Sequence, residues 1–305
     1  FIGNGVSELI DLSLRALLNP GDEVLVPSPD YPLWSAAVSL NGGMPRYYDC
    51  KPANAFQPDV AQIEALIRPA TRAIVVINPN NPSGAVYDRR TLQAIVDLAA
   101  RHNLVVLADE IYDQMVYDDA EFVPMATLVD DGVCLTFSGL SKVYRACGYR
   151  VGWCVFSGDM DAAREYVHGM ELLAALRLCA NVPGQWAVQT ALGGFQSIHE
   201  LVEPGGRLYQ QRQTVIERVE SSPHLSLQAP MGAMYAFIKL DDRFNDTLDD
   251  RAFARELLEE KHVLVAPGSS FNTPYRDHFR ITTLPDTDTL NIVFDRIDAL
   301  LGQYT

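Results

Sequence analysis

Five short apolar runs constrain the architecture most. Residues 23–26, 73–77, 104–108, 133–137 and 151–156 are rich in Val, Ile and Leu and nearly continuous rather than alternating, and longer stretches with helical periodicity separate them. Strands that are apolar on both faces belong in a sheet covered on both sides, and their alternation with helices makes that sheet mostly parallel. Candidate helices cover 7–18, 59–67, 89–102 and one long segment from 159 to about 194, rich in Leu and Ala. After Glu203-Pro204-Gly205-Gly206 the texture changes. A helix over 207–220, two strands around Met231-Gly232-Ala233, a helix over 251–261, two short strands and a closing helix over 288–301 follow. The fold class is therefore α/β. A large domain, 1–203, carries a mostly parallel sheet flanked by helices, and a smaller C-terminal α+β domain covers 204–305. The start, Phe1-Ile2-Gly3-Asn4-Gly5, lacks methionine and reads as the end of a strand entering a turn and helix, so an N-terminal portion is expected to be missing.

Composition narrows the possible partners. With 48% hydrophobic residues in 305 the chain can bury one large core or two unequal ones. No apolar run reaches the length of a membrane span and no secretory signal is visible, which points to a cytoplasmic protein with no membrane partner. Five cysteines, Cys50, Cys134, Cys147, Cys154 and Cys179, form no C-x-x-C pair; they are expected as buried thiols, with neither a disulfide framework nor a metal site. A net charge of −15 argues against nucleic acid. Against that background, Ser138 to Trp153 contains Lys142, Arg145 and Arg150 and no acid. A bound anion here must be small and met by local donors.

Several motifs stand at the ends of the candidate strands, and each has a bland reading. Gly3-Asn4-Gly5-Val6-Ser7 can aim backbone N–H groups at an anion on a helix N-terminus, or can simply connect two elements. Pro27-Ser28-Pro29-Asp30-Tyr31-Pro32 fixes Tyr31 where it could stack on a flat ring, or where it merely packs a helix start. Asn78-Pro79-Asn80-Asn81-Pro82-Ser83-Gly84 holds more amides and prolines than one turn needs. Asp109 ends an apolar strand, which is costly unless a cation or strong donor meets it; an ordinary helix cap is the alternative. Lys142, in a turn of small residues, could be a desolvated nucleophile or a solvated loop lysine.

Taken in order, these elements resemble the class I and II, fold-type I pyridoxal-phosphate aminotransferases over essentially the whole chain. The resemblance rests on Asn81-Pro82-x-Gly84, Asp109-x-x-Tyr112 and Ser141-Lys142 with Arg150. Residues 4–10, 27–34, 77–87, 108–113, 139–145, 176–183 and 190–194 are similar to the bacterial glutamate–pyruvate (alanine) transaminase branch. The resemblance implies pyridoxal 5′-phosphate as cofactor, amino-acid and 2-oxo-acid substrates, and a homodimer. It implies that Lys142 anchors the cofactor as a Schiff base and is the catalytic acid/base. It further implies that Asp109 pairs with the ring nitrogen, Tyr112 and Asn81 with the ring oxygen, and that Tyr31 stacks on the ring. Gly5, Val6, Ser7 and Arg150 would take the phosphate, and Arg280, with Asn81, the substrate carboxylate. Two departures stand out: Gly139 replaces a serine that binds phosphate in many relatives, with Ser138 and Ser141 beside it, and Arg145 stands where many carry a small residue. The alternatives left open are an aminotransferase for aspartate or aromatic amino acids, a β-lyase of the same fold type, and a non-catalytic regulatory domain.

Overall fold

The computed structural model describes residues 1–244 and 247–304. Its main feature is a seven-stranded sheet of β1 (Ile2–Gly3), β2 (Glu23–Ser28), β3 (Met44–Asp49), β4 (Thr71–Ile77), β5 (Val105–Asp109), β6 (Val133–Gly139) and β7 (Gly152–Gly158). The spatial order is β1-β7-β6-β5-β4-β2-β3. Pairs from β3 to β6 are parallel, while β7 runs antiparallel to both β6 and β1. The expectation of a mostly parallel sheet holds. The five apolar runs are all strands, and β1 and β3 are additional to them.

This polarity positions the site. The carboxyl ends of β1, β2, β4, β5 and β6 reach one edge of the sheet, and the antiparallel β7 begins there, with Gly152 opposite both Gly3 and Gly139. Gly5, Tyr31, Asn81, Asp109, Lys142 and Arg150 all lie at or just beyond these ends. Two apolar layers cover the sheet. On one face Ile74, Val76, Val106 and Ala108 meet Leu92, Ile95 and Leu98; on the other Val75, Ile77, Leu107 and Leu135 meet Leu9, Ile10 and Trp34. Opposite faces of one strand thus alternate between the two layers, as the two-residue period requires.

The flanking helices follow from amphipathic spacing and caps. α1 (Val6–Leu17) buries Leu9, Ile10, Leu12 and Leu14. A short α2 (Leu33–Leu40) starts at Pro32, and α3 (Val60–Leu66) is capped by Asp59. α4 (Arg89–Arg101) is capped by Asp88, whose Oδ1 accepts the Thr91 N–H at 2.7 Å, an interaction worth about 1 kcal/mol. The segment expected as one helix over 159–194 is two: α5 (Arg164–Arg177) and α6 (Val182–Gly193). The chain breaks at Leu178, with φ 68°, and restarts at Asn181, whose side chain accepts the Gly184 N–H; Pro183 stands in the new first turn. Summed Leu and Ala propensity missed this cap-and-proline signal.

The remainder comprises α7 (Ile198–Val202), α8 (Arg207–Ser221), α9 (Asp250–Lys261), α10 (Thr287–Leu301) and a four-stranded antiparallel sheet. Its strands β8 (Leu225–Leu227), β9 (Tyr235–Leu240), β10 (Ala266–Pro267) and β11 (His278–Thr282) lie in the order β10-β11-β9-β8. The two strands expected around Met231 flank it as β8 and β9. A separate apolar cluster with Phe253, Phe279 and Phe294 lies between this sheet and its helices. No helix among the described residues is long and apolar enough to cross a membrane. All five cysteines are free, but only Cys50, Cys134 and Cys154 are buried; Cys147, at the start of a 3-10 turn, and Cys179, in the break between α5 and α6, are exposed, against expectation.

Candidate active site

A cavity of about 340 Å³ opens at the sheet edge, within the usual range for small-molecule sites. Val6, Ser7, Tyr31, Asn81, Asp109, Tyr112, Lys142, Arg150 and Arg280 all line it. Gly5 lies immediately behind: a Cβ there would fall 2.4 Å from Nη2 of Arg150, and its φ of 83° is also one that other residues rarely adopt. All ten sequence-derived residues therefore converge on one space, Arg280 arriving from the second sheet.

At the floor, Asp109 is 3% exposed. Its Oδ2 accepts Trp34 Nε1 at 2.9 Å and its Oδ1 the Ile111 N–H at 3.4 Å. Burial pushes its carboxyl up from the ordinary carboxylate value, while these two donors and the charge of Lys142 pull it back. A further cation against Asp109 would complete its ionisation. Lys142 reaches over the Tyr112 ring, with Nζ 5.8 Å from the centroid. The Tyr112 hydroxyl bonds that of Tyr235 at 3.0 Å; burial first, then Tyr235, raises the Tyr112 phenol well above its usual range, so it stays a proton donor.

The Asn-Pro loop owes its shape to backbone demands. Asn78 Oδ1 accepts the Tyr87 N–H at 2.9 Å and Asn80 Oδ1 accepts Ser83 Oγ at 2.6 Å. Gly84, at φ 70°, lies so close to Pro230 that a Cβ would be 2.3 Å from the Pro230 Cβ. This leaves Asn81 facing the cavity, where its Oδ1 accepts Arg280 Nη1 at 2.9 Å. The Arg280 guanidinium lies 4.4 Å from the Tyr235 ring and 4.7 Å from the Phe271 ring, and its buried Nε has no partner. Burial lowers the Arg280 pKa from its ordinary value, yet arginine stays charged in proteins.

At the rim, Gly5 gives α1 no side-chain cap, which leaves the N–H groups of its first turn beside the Arg150 guanidinium. Arg150 is exposed, and among the described residues its Nη1 donates only to the Cys147 carbonyl, at 2.9 Å. Asn181 ties this corner together: its N–H donates to Asn4 Oδ1 at 2.8 Å and its Nδ2 to the Tyr149 carbonyl at 2.6 Å. The helix break missed in the sequence thus braces the corner that holds Gly5 and Arg150. Among the described residues no carboxylate lies within 4.0 Å of Lys142, Arg150 or Arg280.

These features fit pyridoxal 5′-phosphate. There is an uncapped helix start with an arginine for the phosphate, a buried carboxylate that needs a cation for the ring nitrogen, phenol and amide groups for the ring oxygen, and an amine for the aldehyde. Gly139 is accounted for: a Cβ there would meet the Val151 carbonyl at 2.8 Å and the Gly152 Cα at 3.0 Å, so a serine has no room, and Ser141 lines the cavity instead. Arg145 points elsewhere, bonding Ser197 Oγ at 2.7 Å. Sequence reasoning missed Trp34, Tyr235 and Phe271. Trp34 closes the run 27–34, and an indole N–H one turn past a fixed aromatic is a usable signal. Tyr235 and Phe271 meet Arg280 only through tertiary packing, for which no local signal exists.

The chain is 50% identical over 304 residues to the glutamate-pyruvate aminotransferase AlaA of Escherichia coli, covering all of this chain and 75% of that protein. It is 49% identical to an alanine aminotransferase of Mycobacterium tuberculosis, covering 71% of it. A crystal structure of an aminotransferase from Escherichia coli superposes with a TM-score of 0.96 at 50% identity, over 99% of this chain and 75% of that one. The family model for aminotransferase class I and II matches residues 1–297, and the chain belongs to that family.

Proposed function

We propose that the protein is a pyridoxal-phosphate-dependent aminotransferase that interconverts L-alanine and 2-oxoglutarate with pyruvate and L-glutamate. The observation that carries the reading is the convergence of Lys142, Asp109 and Arg280 on one cavity in a chain about half identical to alanine-transforming relatives. When bound, the cofactor supplies an aldehyde that condenses with amines and a ring that accepts the charge left when the α-proton departs.

The chain's own residues do the rest. Arg280 takes the α-carboxylate through two parallel N–H bonds, and its bond to Asn81 fixes the guanidinium. Asp109, steadied by Trp34, would hold the ring nitrogen and keep it protonated. Tyr112 would donate to the ring oxygen, and Tyr31 would stack on the ring. Gly5, Val6 and Ser7 backbone groups and Arg150 hold the phosphate. The Lys142 amine would hold the cofactor, and its Nζ would be the base that takes the substrate α-proton and gives it back, so a single group would serve both transfers. Residues 1–203 act as the cofactor domain and 204–305 as the domain that brings Arg280.

A homodimer completes the reading. Leu176, Trp186 and Phe195, each about four-fifths exposed, lie on or beside α5 and α6, next to the Asn181 brace, and make an apolar surface suited to a second copy. Comparing kcat/KM across amino donors tests the assignment. Alanine and glutamate are expected to lead; a higher value for aspartate or an aromatic amino acid overturns it.

A further inference from the structure

The Arg280 guanidinium lies 4.7 Å from the ring of Phe271, a buried residue whose turn is held from both ends. Phe271 ends a single 3-10 turn, Gly268–Phe271, between β10 and β11. One end of that turn is held by α9: Asp250 Oδ2 accepts the Ser269 N–H at 2.5 Å, and Arg251 Nε donates to Ser269 Oγ at 3.0 Å. The other end is held by the loop after β2. The Asp30 N–H donates to the Phe271 carbonyl at 3.0 Å, and Ser28 Oγ donates to the Asn272 carbonyl at 2.9 Å. Asn272, at φ 51°, then turns its amide inward so that one Nδ2 donates to both Asp30 Oδ1, at 2.9 Å, and Ser35 Oγ, at 2.8 Å.

Asp30 is fully buried and its Oδ2 has no hydrogen-bond partner among the described residues, so Asn272 and Ser35 are the groups that compensate this carboxyl. The same loop continues into Tyr31 and then Trp34, which bonds Asp109. One buried polar knot therefore joins the ring-binding floor of the cavity to the ring beside Arg280.

We propose that Asn272, acting through Asp30, is a positioning residue that holds Phe271 against the Arg280 guanidinium and thereby sets affinity for the substrate carboxylate without touching proton transfer at Lys142. The inference rests on Arg280 as the carboxylate-binding residue. With one guanidinium nitrogen spent on Asn81 and two rings crowding the planar group, only an edge including the unpartnered Nε remains for a carboxylate. Release of Phe271 frees the guanidinium to turn and hydrate, and a preorganised fork becomes a mobile one.

The test uses the cofactor-loaded protein with propionate, which offers a carboxylate and no amine. Its dissociation constant is measured by calorimetry beside steady-state constants for alanine. Asn272→Gly keeps the left-handed backbone and removes the amide; it is expected to weaken propionate and raise the alanine KM, each about tenfold, with kcat within about twofold. Asp30→Asn keeps an oxygen acceptor and is expected to bind as the parent does. Unchanged propionate binding in Asn272→Gly, or a loss of kcat without a change in binding, overturns the proposal. Should Asn272→Gly fail to fold, Phe271→Leu replaces it: the same tenfold loss supports the proposal and unchanged binding overturns it. Propionate binding that survives Arg280→Ala would instead refute the role of Arg280, and this inference with it.

Discussion

The floor and the rim of the cavity contrast in how their polar groups are satisfied. At the floor, the chain supplies its own partners: Trp34 for Asp109, Tyr235 for Tyr112, Asn81 for Arg280. At the rim, an exposed Arg150 donates only to a backbone carbonyl and α1 begins uncapped, beside a helix pair that leaves Trp186 80% exposed. The floor is fixed before anything binds. In the proposed reading the rim is finished by what is added, an anion and a second copy, so substitutions at the two ends should differ in kind as well as size.

The largest effect belongs to the floor. Lys142→Ala is expected to lower transamination by about 10⁴-fold or more, read as initial rate, because no other amine lines the cavity among the described residues. Residual turnover within tenfold of the parent would remove Lys142 from the reaction. Next, Arg280→Ala should raise the alanine KM by about 10²-fold, the worth of a charge-assisted bidentate contact, and added cofactor should not restore it. The rim should behave otherwise. Arg150→Ala should weaken cofactor binding about tenfold, measured by dialysis, with rates recovering at saturating cofactor; a loss that saturation does not recover would erase the contrast.

Much of the floor was legible in the sequence because each residue stands at a strand end, and strands announce themselves by apolar runs. Asp109 and the Asn-Pro loop were conspicuous as polar groups directly after such runs. The partners were not: Trp34 meets Asp109 across 75 positions, and Phe271 meets Arg280 only where the turn before β11 folds back against that strand. The rim was legible only in part. Arg150 and Gly5 carry recognisable motifs, but the break between α5 and α6 lay hidden inside a Leu- and Ala-rich stretch. Its signals were one asparagine and one proline, which a propensity sum over the segment outweighs.

A smaller effect sharpens the comparison through stability. Glu110, next to Asp109, is buried with only the Met125 N–H on its Oε1, at 2.7 Å, and burial pushes its carboxyl up from 4.5 to about 8. A carboxyl raised on folding stabilises fully below its unfolded value, and the benefit is lost as pH rises through about 8. Glu110→Gln keeps the acceptor and removes the titration. Its melting temperature should match the parent near pH 4.5 and exceed it by several degrees above pH 8. A difference that does not grow with pH would mean that Glu110 is not held neutral. The smallest effect is expected at the outer face, where Trp186→Glu should shift the protein toward monomer in sedimentation without altering the melting of the isolated chain.

Transfer of nitrogen from alanine decides the central claim most directly. The cofactor-loaded protein is given ¹⁵N-labelled L-alanine and 2-oxoglutarate, and the label is followed by NMR. The account predicts ¹⁵N-glutamate and pyruvate in equal amounts with no labelled ammonia, and no transfer in Lys142→Ala. Labelled ammonia in place of glutamate, or alanine left unconverted, would contradict it.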